Sequence, residues 1–261
     1  MKPAFALAFI AAAAAAAISV PMGVPAQAEQ PAIQKPDLAK PGTAFGKDSP
    51  SRNNWQATIA RTERGYLIGN PKAKSTMIEF ISYTCPHCAD FAGEGENGLD
   101  LTLVSPGKMS LEVRSFIRNP LDLAASLLAA CGPVSGFKDR HRMLMSTQGT
   151  WLEKARNAPR SQLEVWFRAD ADARVNAASA LGLIDMLAKG GQSRSELTAC
   201  LMDDKAALKL VDDSDADRKD FGVPGTPSFA LDGKLLPNVH NWQALYPVLS
   251  AHFSPAPTSQ P

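Results

Sequence analysis

Two cysteines separated by two residues, in the run Cys85-Pro86-His87-Cys88, are the side chains of this chain best suited to covalent chemistry. Thiols at this spacing lie on one turn of a helix or bond to each other. If a strand ends at Tyr83 and a helix begins near Pro86, both sulfurs lie at the positive end of that helix, where a thiolate is favoured over a thiol. The spacing therefore indicates thiol–disulfide exchange.

The two sulfurs and the residue between them have different predicted roles. Cys85 lies at the helix start and is the candidate nucleophile, and His87 can add a hydrogen-bond donor or a positive charge near its sulfur. Cys88 lies a turn deeper and is the candidate resolving thiol. Stabilising the reduced form makes a disulfide more oxidising, so two stabilisers at one sulfur favour an oxidant over a reductant.

Two other interpretations of the cysteine pair stay open. One is a structural bridge, although a loop this small gains little from restricting the unfolded chain. The other is a metal site, since two thiols at this spacing suit zinc. No second close Cys/His pair is present, and His141, His240 and His252 are scattered along the chain. We therefore predict no metal and no dissociable cofactor, only a redox-active Cys85–Cys88 disulfide.

The N-terminus has the pattern of a secretory signal peptide over residues 1–28. Lys2 is followed by the apolar stretch Phe5–Val20 and by Ala26-Gln27-Ala28, which fits a cleavage site. An uncleaved anchor is the alternative. Export favours disulfide chemistry, and we expect a periplasmic location. The chain has 27 basic and 26 acidic residues, a balance that gives no support for nucleic-acid binding.

The other two cysteines, Cys131 and Cys200, follow the candidate redox pair along the chain. Four cysteines allow three pairings, and the simplest joins Cys85 to Cys88 and Cys131 to Cys200. The second bond would be structural. Two buried free thiols are the competing interpretation.

The pattern of apolar residues predicts an α/β chain with a long helical block. Residues 29–61 read as a Pro-rich, flexible segment, and residues 254–261 as a disordered tail. Thr76–Tyr83 is typical of a buried strand, Met109–Ile117 alternates as a second strand, and residues 120–202 follow helical periodicity. Beyond them we predict a charged helix over Asp204–Phe221, with a solvated acidic face at 212–220. A hairpin around Asp232-Gly233 and a final helix to Phe253 follow.

This order of elements, with the Cys-Pro-His-Cys motif, resembles the DsbA family of exported thiol:disulfide oxidoreductases. The resemblance implies a thioredoxin-like fold, formed by residues 62–119 and 203–253, that is interrupted by an all-helical insertion at 120–202. Its specific parts are Cys85 and Cys88, the position of Glu79 on the preceding strand, and Thr226-Pro227 late in the chain.

Roles for three further positions come from this resemblance. It implies that Pro227 is cis and packs beside the active disulfide, and that Thr226 presents backbone groups to an extended substrate, with Pro86 as a third substrate-binding residue. It also implies that Glu79 lies beneath the disulfide and relays protons to the deeper cysteine. The alternative for Glu79 is a carboxylate at a solvated sheet edge.

The predicted function is that of a periplasmic dithiol oxidase. Its expected partners are unfolded exported proteins with free thiols and, by resemblance, a membrane quinone-linked oxidase that regenerates the disulfide. Residues 29–53 lack a clear heptad, which favours a monomer. Many oxidase-type relatives carry valine before the proline, whereas isomerase-type relatives often carry threonine, as here. A disulfide isomerase or reductase, or a metal-handling module that uses the two thiols, therefore stays open.

Overall fold

The computed structural model describes residues 55–254. The predicted signal peptide, most of the segment 29–61 and all but the first residue of the predicted tail lie outside the described residues. None of the helices within 55–254 is both long and apolar enough to cross a membrane.

Six strands form one mixed sheet in the order β1-β2-β4-β3-β5-β6. The strands are β1 (Ile59–Arg61), β2 (Tyr66–Ile68), β3 (Ser75–Ile81), β4 (Met109–Ser115), β5 (Ser228–Leu231) and β6 (Lys234–Leu235). Only β3 and β4 run parallel, and every other neighbouring pair is antiparallel. The parallel pair is central, and such strands are apolar on both faces because both are covered.

Ten α-helices accompany this sheet within the described residues. They are α1 (Pro86–Leu99), α2 (Pro120–Ala130), α3 (Phe137–Ser146), α4 (Gln148–Arg156), α5 (Arg160–Trp166), α6 (Ala171–Leu181), α7 (Leu183–Lys189), α8 (Arg194–Met202), α9 (Asp204–Phe221) and α10 (Trp242–Phe253). Helices α2 to α8 separate β4 from α9 in the sequence. This is a thioredoxin-like fold with a helical insertion, as the sequence predicts.

The helix that follows the cysteines is longer than its sequence suggests. Glycine, which weakens a helix, stands at positions 93, 95 and 98, yet α1 reaches Leu99 and a π-helical turn extends it to Val104. A Cβ atom at Gly95 would lie 2.5 Å from the Phe91 ring, and one at Gly98 would lie 3.3 Å from Trp242. These glycines make room for aromatic rings that hold α1 in place.

The prediction that residues 29–61 form a flexible segment is wrong for residues 55–61. β1 pairs with β2 over three residues, and the ring of Trp55 lies against Gly107, where a Cβ atom would approach it to 2.7 Å. Gly107 has φ +75, a conformation that favours glycine. Residues 55–61 are therefore ordered by strand pairing and by one aromatic contact, neither of which the polar composition reveals.

The prediction of a fully solvated acidic face at 212–220 is also wrong. Asp217 is buried and accepts hydrogen bonds from Arg64 Nη1 at 2.9 Å and from Arg114 Nη1 at 2.7 Å. Arg114 also bonds Glu112 on β4. The arginines neutralise a carboxylate that the fold buries, and the network attaches α9 to the end of β4.

The insertion packs around α2, whose residues 121–129 are all buried. This helix contacts α3, α6, α8 and α9. The predicted bond between Cys131 and Cys200 is present, with the Cα atoms 5.8 Å apart across a sequence separation of 69. It joins the C-terminal end of α2 to α8, so two ends of the helical block that are distant in sequence are adjacent in space.

Candidate active site

The two cysteines lie where the central strand β3 leads into α1. Cys85 is the N-cap of α1 with φ −94 and ψ 116, and Pro86 occupies the first turn, where its missing N–H costs nothing. No side chain caps this end. The N-terminal N–H groups of α1 are therefore left to act on the Cys85 sulfur.

Burial and hydrogen bonding shift the pKa values of the two thiols in opposite directions. Cys85 and Cys88 are both buried and are free thiols in this structure. The pKa of Cys85 is lowered to about 5, above all by a hydrogen bond from the Cys88 thiol, with smaller help from Thr226, the Cys88 backbone N–H and the charge of Arg118. Burial opposes this shift. Cys85 therefore carries the thiolate at neutral pH.

The pKa of Cys88 is raised well above its usual value, first by burial and then by its role as donor to Cys85. The backbone N–H of Ser82 donates to the Cys88 sulfur at 3.5 Å, which acts in the opposite direction. One thiol is thus an anion and its neighbour holds a proton. This difference matches the predicted roles of nucleophile and resolving thiol.

The structure places His87 differently from its predicted role. Its side chain is 78% exposed, and Nδ1 lies 3.6 Å from Asp90 Oδ2 in the first turn of α1. Arg118, which the sequence analysis did not single out, is the positively charged side chain that lowers the pKa of Cys85. A direct contribution from His87 to the thiolate stays a prediction.

The loop before β5 brings the predicted substrate-binding residues to Cys85. The Thr226–Pro227 peptide bond is cis, and the Cys85 thiol lies 3.1 Å from the Thr226 carbonyl oxygen. The Pro227 carbonyl is held by His240 Nδ1 at 2.8 Å. Thr226 Oγ1 is buried and has no hydrogen-bond partner among the described residues, so it is free to donate to a Cys85 thiolate.

Glu79 lies within the central strand rather than at a sheet edge. β3 is flanked by β4 and β5, and Glu79 is 1% exposed with neither carboxylate oxygen bonded within the described residues. Burial, and then the charge of Glu96, raise its pKa well above the usual value. When it is ionised, Glu79 in turn raises the pKa of Cys88. A neutral carboxyl group near the deeper thiol suits a proton donor, as the resemblance implies.

Besides Arg118, the sequence analysis missed two residues that shape the site, Gln148 and Asp122. Gln148 Nε2 donates to the Tyr83 carbonyl at 3.0 Å and to the Cys85 carbonyl at 2.8 Å, so the insertion holds the active-site loop. Asp122 Oδ1 accepts from the Tyr83 N–H at 2.7 Å, and Oδ2 accepts from the Arg118 N–H at 3.0 Å. Burial raises the pKa of Asp122 to about 7 despite these bonds.

A buried polar chain also connects α1 to the insertion. The Tyr83 hydroxyl lies 3.0 Å from His141 Nδ1, and His141 Nε2 lies 2.7 Å from Glu96 Oε1. All three side chains are buried. His141, which the sequence left as a scattered histidine, therefore helps to fix the loop that precedes Cys85.

The sequence indicates the three missed residues, Arg118, Asp122 and Gln148, to different degrees. Arg118 follows a strand parallel to β3, and the carboxyl ends of parallel strands converge on sites in α/β sheets, so its position was open to prediction. Asp122 lies three residues beyond the Asn119 N-cap, a recognisable helix start. Gln148 begins a helix of ordinary composition, and nothing in the sequence indicates that it reaches back to Cys85.

Comparisons with known proteins identify the family of this chain. A family model described as Thioredoxin matches residues 61–250. A solved structure of a protein-disulfide isomerase from Novosphingobium aromaticivorans is 38% identical with a TM-score of 0.72, and the match covers 74% of this chain and all of that chain. The alpha-DsbA1 protein of Wolbachia pipientis, at 20% identity and a TM-score of 0.58 over 76% of this chain and 94% of that chain, shares the fold.

Curated relatives carry a related provisional name. A protein of Rickettsia bellii, provisionally named a protein-disulfide oxidoreductase, is 27% identical over 188 residues, which is 72% of this chain and 64% of the relative. The match thus spans less than two thirds of that relative's length. Together with the 38% identical structure, the family match establishes that the chain belongs to the thioredoxin family.

Between residues 55 and 254, no three or more His, Cys, Asp or Glu side chains are arranged so that they could hold a metal ion.

Proposed function

We propose that this protein is a thiol:disulfide oxidoreductase that oxidises pairs of thiols in exported polypeptides. The observation that carries the proposal is the unequal acidity of Cys85 and Cys88 at the start of α1. A low pKa at Cys85, about 5, stabilises the reduced protein, and a stabilised reduced form makes the disulfide a stronger oxidant. The provisional name of the Rickettsia relative supports the same class of activity.

The reaction would begin with the oxidised Cys85–Cys88 disulfide. A substrate thiolate attacks Cys85 Sγ, the bond between the two cysteines breaks, and its electron pair leaves with Cys88 Sγ. Cys88 then takes a proton, for which the neutral Glu79 is our candidate donor. The product is a mixed disulfide between Cys85 and the substrate.

A second substrate thiolate then attacks the substrate sulfur of the mixed disulfide, and Cys85 departs as a thiolate. The substrate has lost two electrons and the protein has gained them. The two substrate thiols lose their protons to solvent, Cys88 keeps the proton that Glu79 gave it, and Glu79 takes one proton back from solvent, so that one proton is released overall. Because an acidic thiol is a good leaving group, the low pKa of Cys85 favours this second step.

The test follows the oxidation of a peptide with two thiols by stoichiometric oxidised protein. We expect wild type to form the peptide disulfide, and Cys85→Ser to be inactive. Cys88→Ser reacted with an activated peptide disulfide is expected to trap a mixed disulfide at Cys85. Oxidation of the peptide by Cys85→Ser would contradict the proposal.

The location and partners belong to the same proposal. The signal-like residues 1–28 support export to a periplasm, where thiols of unfolded proteins would be substrates and a membrane quinone-linked oxidase would restore the disulfide. We further propose that the protein acts as a monomer without a dissociable cofactor. Fractionation of cells that express the full chain tests the location, and light scattering of the purified protein tests whether it is a monomer.

A disulfide isomerase is the second candidate function. Two observations favour it: the 38% identical Novosphingobium structure is named a protein-disulfide isomerase, and Thr226 precedes Pro227. The reduction potential of the Cys85–Cys88 couple against glutathione, together with refolding of scrambled ribonuclease, separates the two. An oxidising potential with little refolding supports the oxidase, whereas efficient refolding supports the isomerase.

A further inference from the structure

A groove of about 650 Å³ opens beside Cys85. Its walls come from four separate segments: the start of α1, the residues after β4, the C-terminal part of α9 and the loop that carries Thr226. We call it the arginine groove, because Arg118 and Arg218 line it together with Cys85, Phe116, Gly225 and Thr226. Its volume lies within the range of ligand sites, and it reaches the reactive residue itself.

In the part of the chain that the structure describes, the arginine groove is lined by basic side chains and by no acidic ones. Among the described residues that line it there are two arginines and the exposed His87, and there is no aspartate or glutamate. The whole chain carries 27 basic and 26 acidic residues, so the groove does not reflect the overall composition. Guanidinium groups in a groove that is lined by no carboxylate of residues 55–254 attract anionic groups.

The two guanidinium groups are placed by different contacts. The Arg218 guanidinium lies 4.3 Å from the centre of the Phe116 ring, a cation–π contact that holds it at the groove wall. Its nearest carboxylate, Asp215, is 70% exposed and 3.9 Å away, so it compensates the charge weakly. The Arg118 backbone N–H is fixed by Asp122, while its side chain is exposed.

We propose that the arginine groove binds acidic side chains that flank the reacting cysteine of the substrate. The inferred substrate class is thus an extended polypeptide with Asp or Glu within a few residues of its thiol. A guanidinium pairs with a carboxylate through two parallel hydrogen bonds, which an ammonium group does not offer. This inference rests on the proposed function, because it names the preferred substrate of that reaction.

The redox state of Cys85 changes how strongly the arginine groove attracts a carboxylate. In the reduced protein the Cys85 thiolate is an anion near Arg118 and compensates its charge. In the oxidised protein Cys85 is bonded and neutral, so the groove lacks that anion and its attraction for a carboxylate is greater. An acidic substrate therefore binds the oxidised protein more tightly, and the product is released more readily from the reduced protein.

The test uses three two-thiol peptides that differ only in the residues beside one cysteine: two Asp, two Asn or two Lys. Each rate of oxidation by the protein is divided by the same peptide's rate with hydroxyethyl disulfide, which removes differences in the peptides' own thiol acidity. We expect the order Asp, Asn, Lys, with an Asp-to-Lys ratio of about 10 at low salt that shrinks at high salt.

Variants show whether the arginines cause this order. Arg118→Gln and Arg218→Gln should each lower the Asp-to-Lys ratio, and the double variant should bring it close to 1. The ratio is the useful quantity because Arg118→Gln also changes Cys85 acidity, and that change affects all three peptides alike. Arg160→Gln is the control: Arg160 is 93% exposed and does not line the groove, so this ratio should stay unchanged.

A binding measurement gives a second readout. An Asp-flanked peptide with serine in place of both cysteines should bind oxidised protein more tightly than reduced protein, and Arg218→Gln should weaken this binding. If all three peptides are oxidised equally, or if the double variant keeps the wild-type ratio, the arginine groove is refuted while the oxidoreductase proposal stands. If no peptide is oxidised, the oxidoreductase proposal fails and the groove proposal falls with it.

Discussion

At the scale of single residues, the contacts of Cys85 form a ranked set. Cys88 contributes most to its low pKa, followed among the stabilising contacts by Thr226, the Cys88 N–H and the charge of Arg118. Each pK unit corresponds to about 1.4 kcal/mol of preference for the thiolate. The ranking can therefore be tested one side chain at a time.

We predict that reduced wild type shows a thiolate transition near pH 5 in ultraviolet absorbance. Cys88→Ala should raise the pKa of Cys85 the most, because it removes the main hydrogen-bond donor. Thr226→Val should raise it by about one unit, the effect of losing one hydrogen bond to a charged group. Cys85→Ser, the control, should lack the transition. A larger shift in Thr226→Val than in Cys88→Ala would contradict the ranking.

Glu79 provides the second prediction at this scale. Its raised pKa keeps the buried carboxyl group neutral and able to give a proton to Cys88. Glu79→Gln keeps the size of the side chain but cannot transfer a proton, so peptide oxidation should slow about 100-fold. Stopped-flow kinetics against pH measures this, and the pH dependence should change in the variant. An unchanged rate and pH profile would show that another group protonates Cys88.

At the scale of elements, α9 is attached to β4 by charges. Asp217 on α9 accepts hydrogen bonds from Arg64 and Arg114. Phe221, at the end of the same helix, lies 5.6 Å from the Arg114 guanidinium. The helix that supplies Arg218 to the arginine groove is therefore positioned by a buried carboxylate.

We predict that Asp217→Asn lowers the free energy of unfolding by about 3 kcal/mol, because two partly buried guanidinium groups lose their shared anion. Asp215→Asn on the same helix is the matched control. Its carboxylate is exposed, so the loss there should be below about 0.5 kcal/mol. Urea unfolding followed by circular dichroism gives both values. Equal losses in the two variants would contradict the assigned role of Asp217.

The elements that the sequence predicted are those whose signals are local. Thr76–Tyr83 and Asp204–Phe221 have the right type and nearly the right bounds because apolar periodicity and the Gly222 stop are visible in the chain. The full length of α1 was not predictable, since Gly95 and Gly98 read as helix breakers until Phe91 and Trp242 are known to lie against them. The cysteine pair was evident from its spacing, and the position of Arg118 after a strand parallel to β3 was open to prediction, whereas Gln148 reaches the site only through tertiary packing.

At the scale of the whole molecule, the unequal thiols couple redox state to stability. In reduced protein the folded state has a Cys85 pKa of about 5, whereas the unfolded chain has the ordinary value of 9.0. Between these two values unfolding takes up a proton, so this group's contribution to stability is full above pH 9 and is lost as pH falls to 5. Asp122 acts in the opposite sense, but it is present in both redox forms.

We predict that the stability of the reduced protein relative to the oxidised protein increases from pH 5 to pH 8, by at most about 1.4 kcal/mol per pH unit. Subtracting the unfolding free energies of the two forms at each pH cancels Asp122 and the other shared groups. Denaturant unfolding of both forms measures the difference. Cys85→Ala compared with oxidised protein is the control and should lack this slope. Parallel curves for reduced and oxidised wild type would contradict the prediction.

The two hydrogen bonds of Gln148 limit how much of the helical insertion can be deleted. A trimmed chain that joined residue 119 directly to residue 203 would keep every residue of the cysteine motif and all six strands, yet the carbonyls of Tyr83 and Cys85 would lose their donor. The turn that contains Cys85 would then lack its hydrogen bonds from Gln148. A shortened version of this protein would thus require a substitute for that amide, because a helix of the insertion holds the turn that contains Cys85.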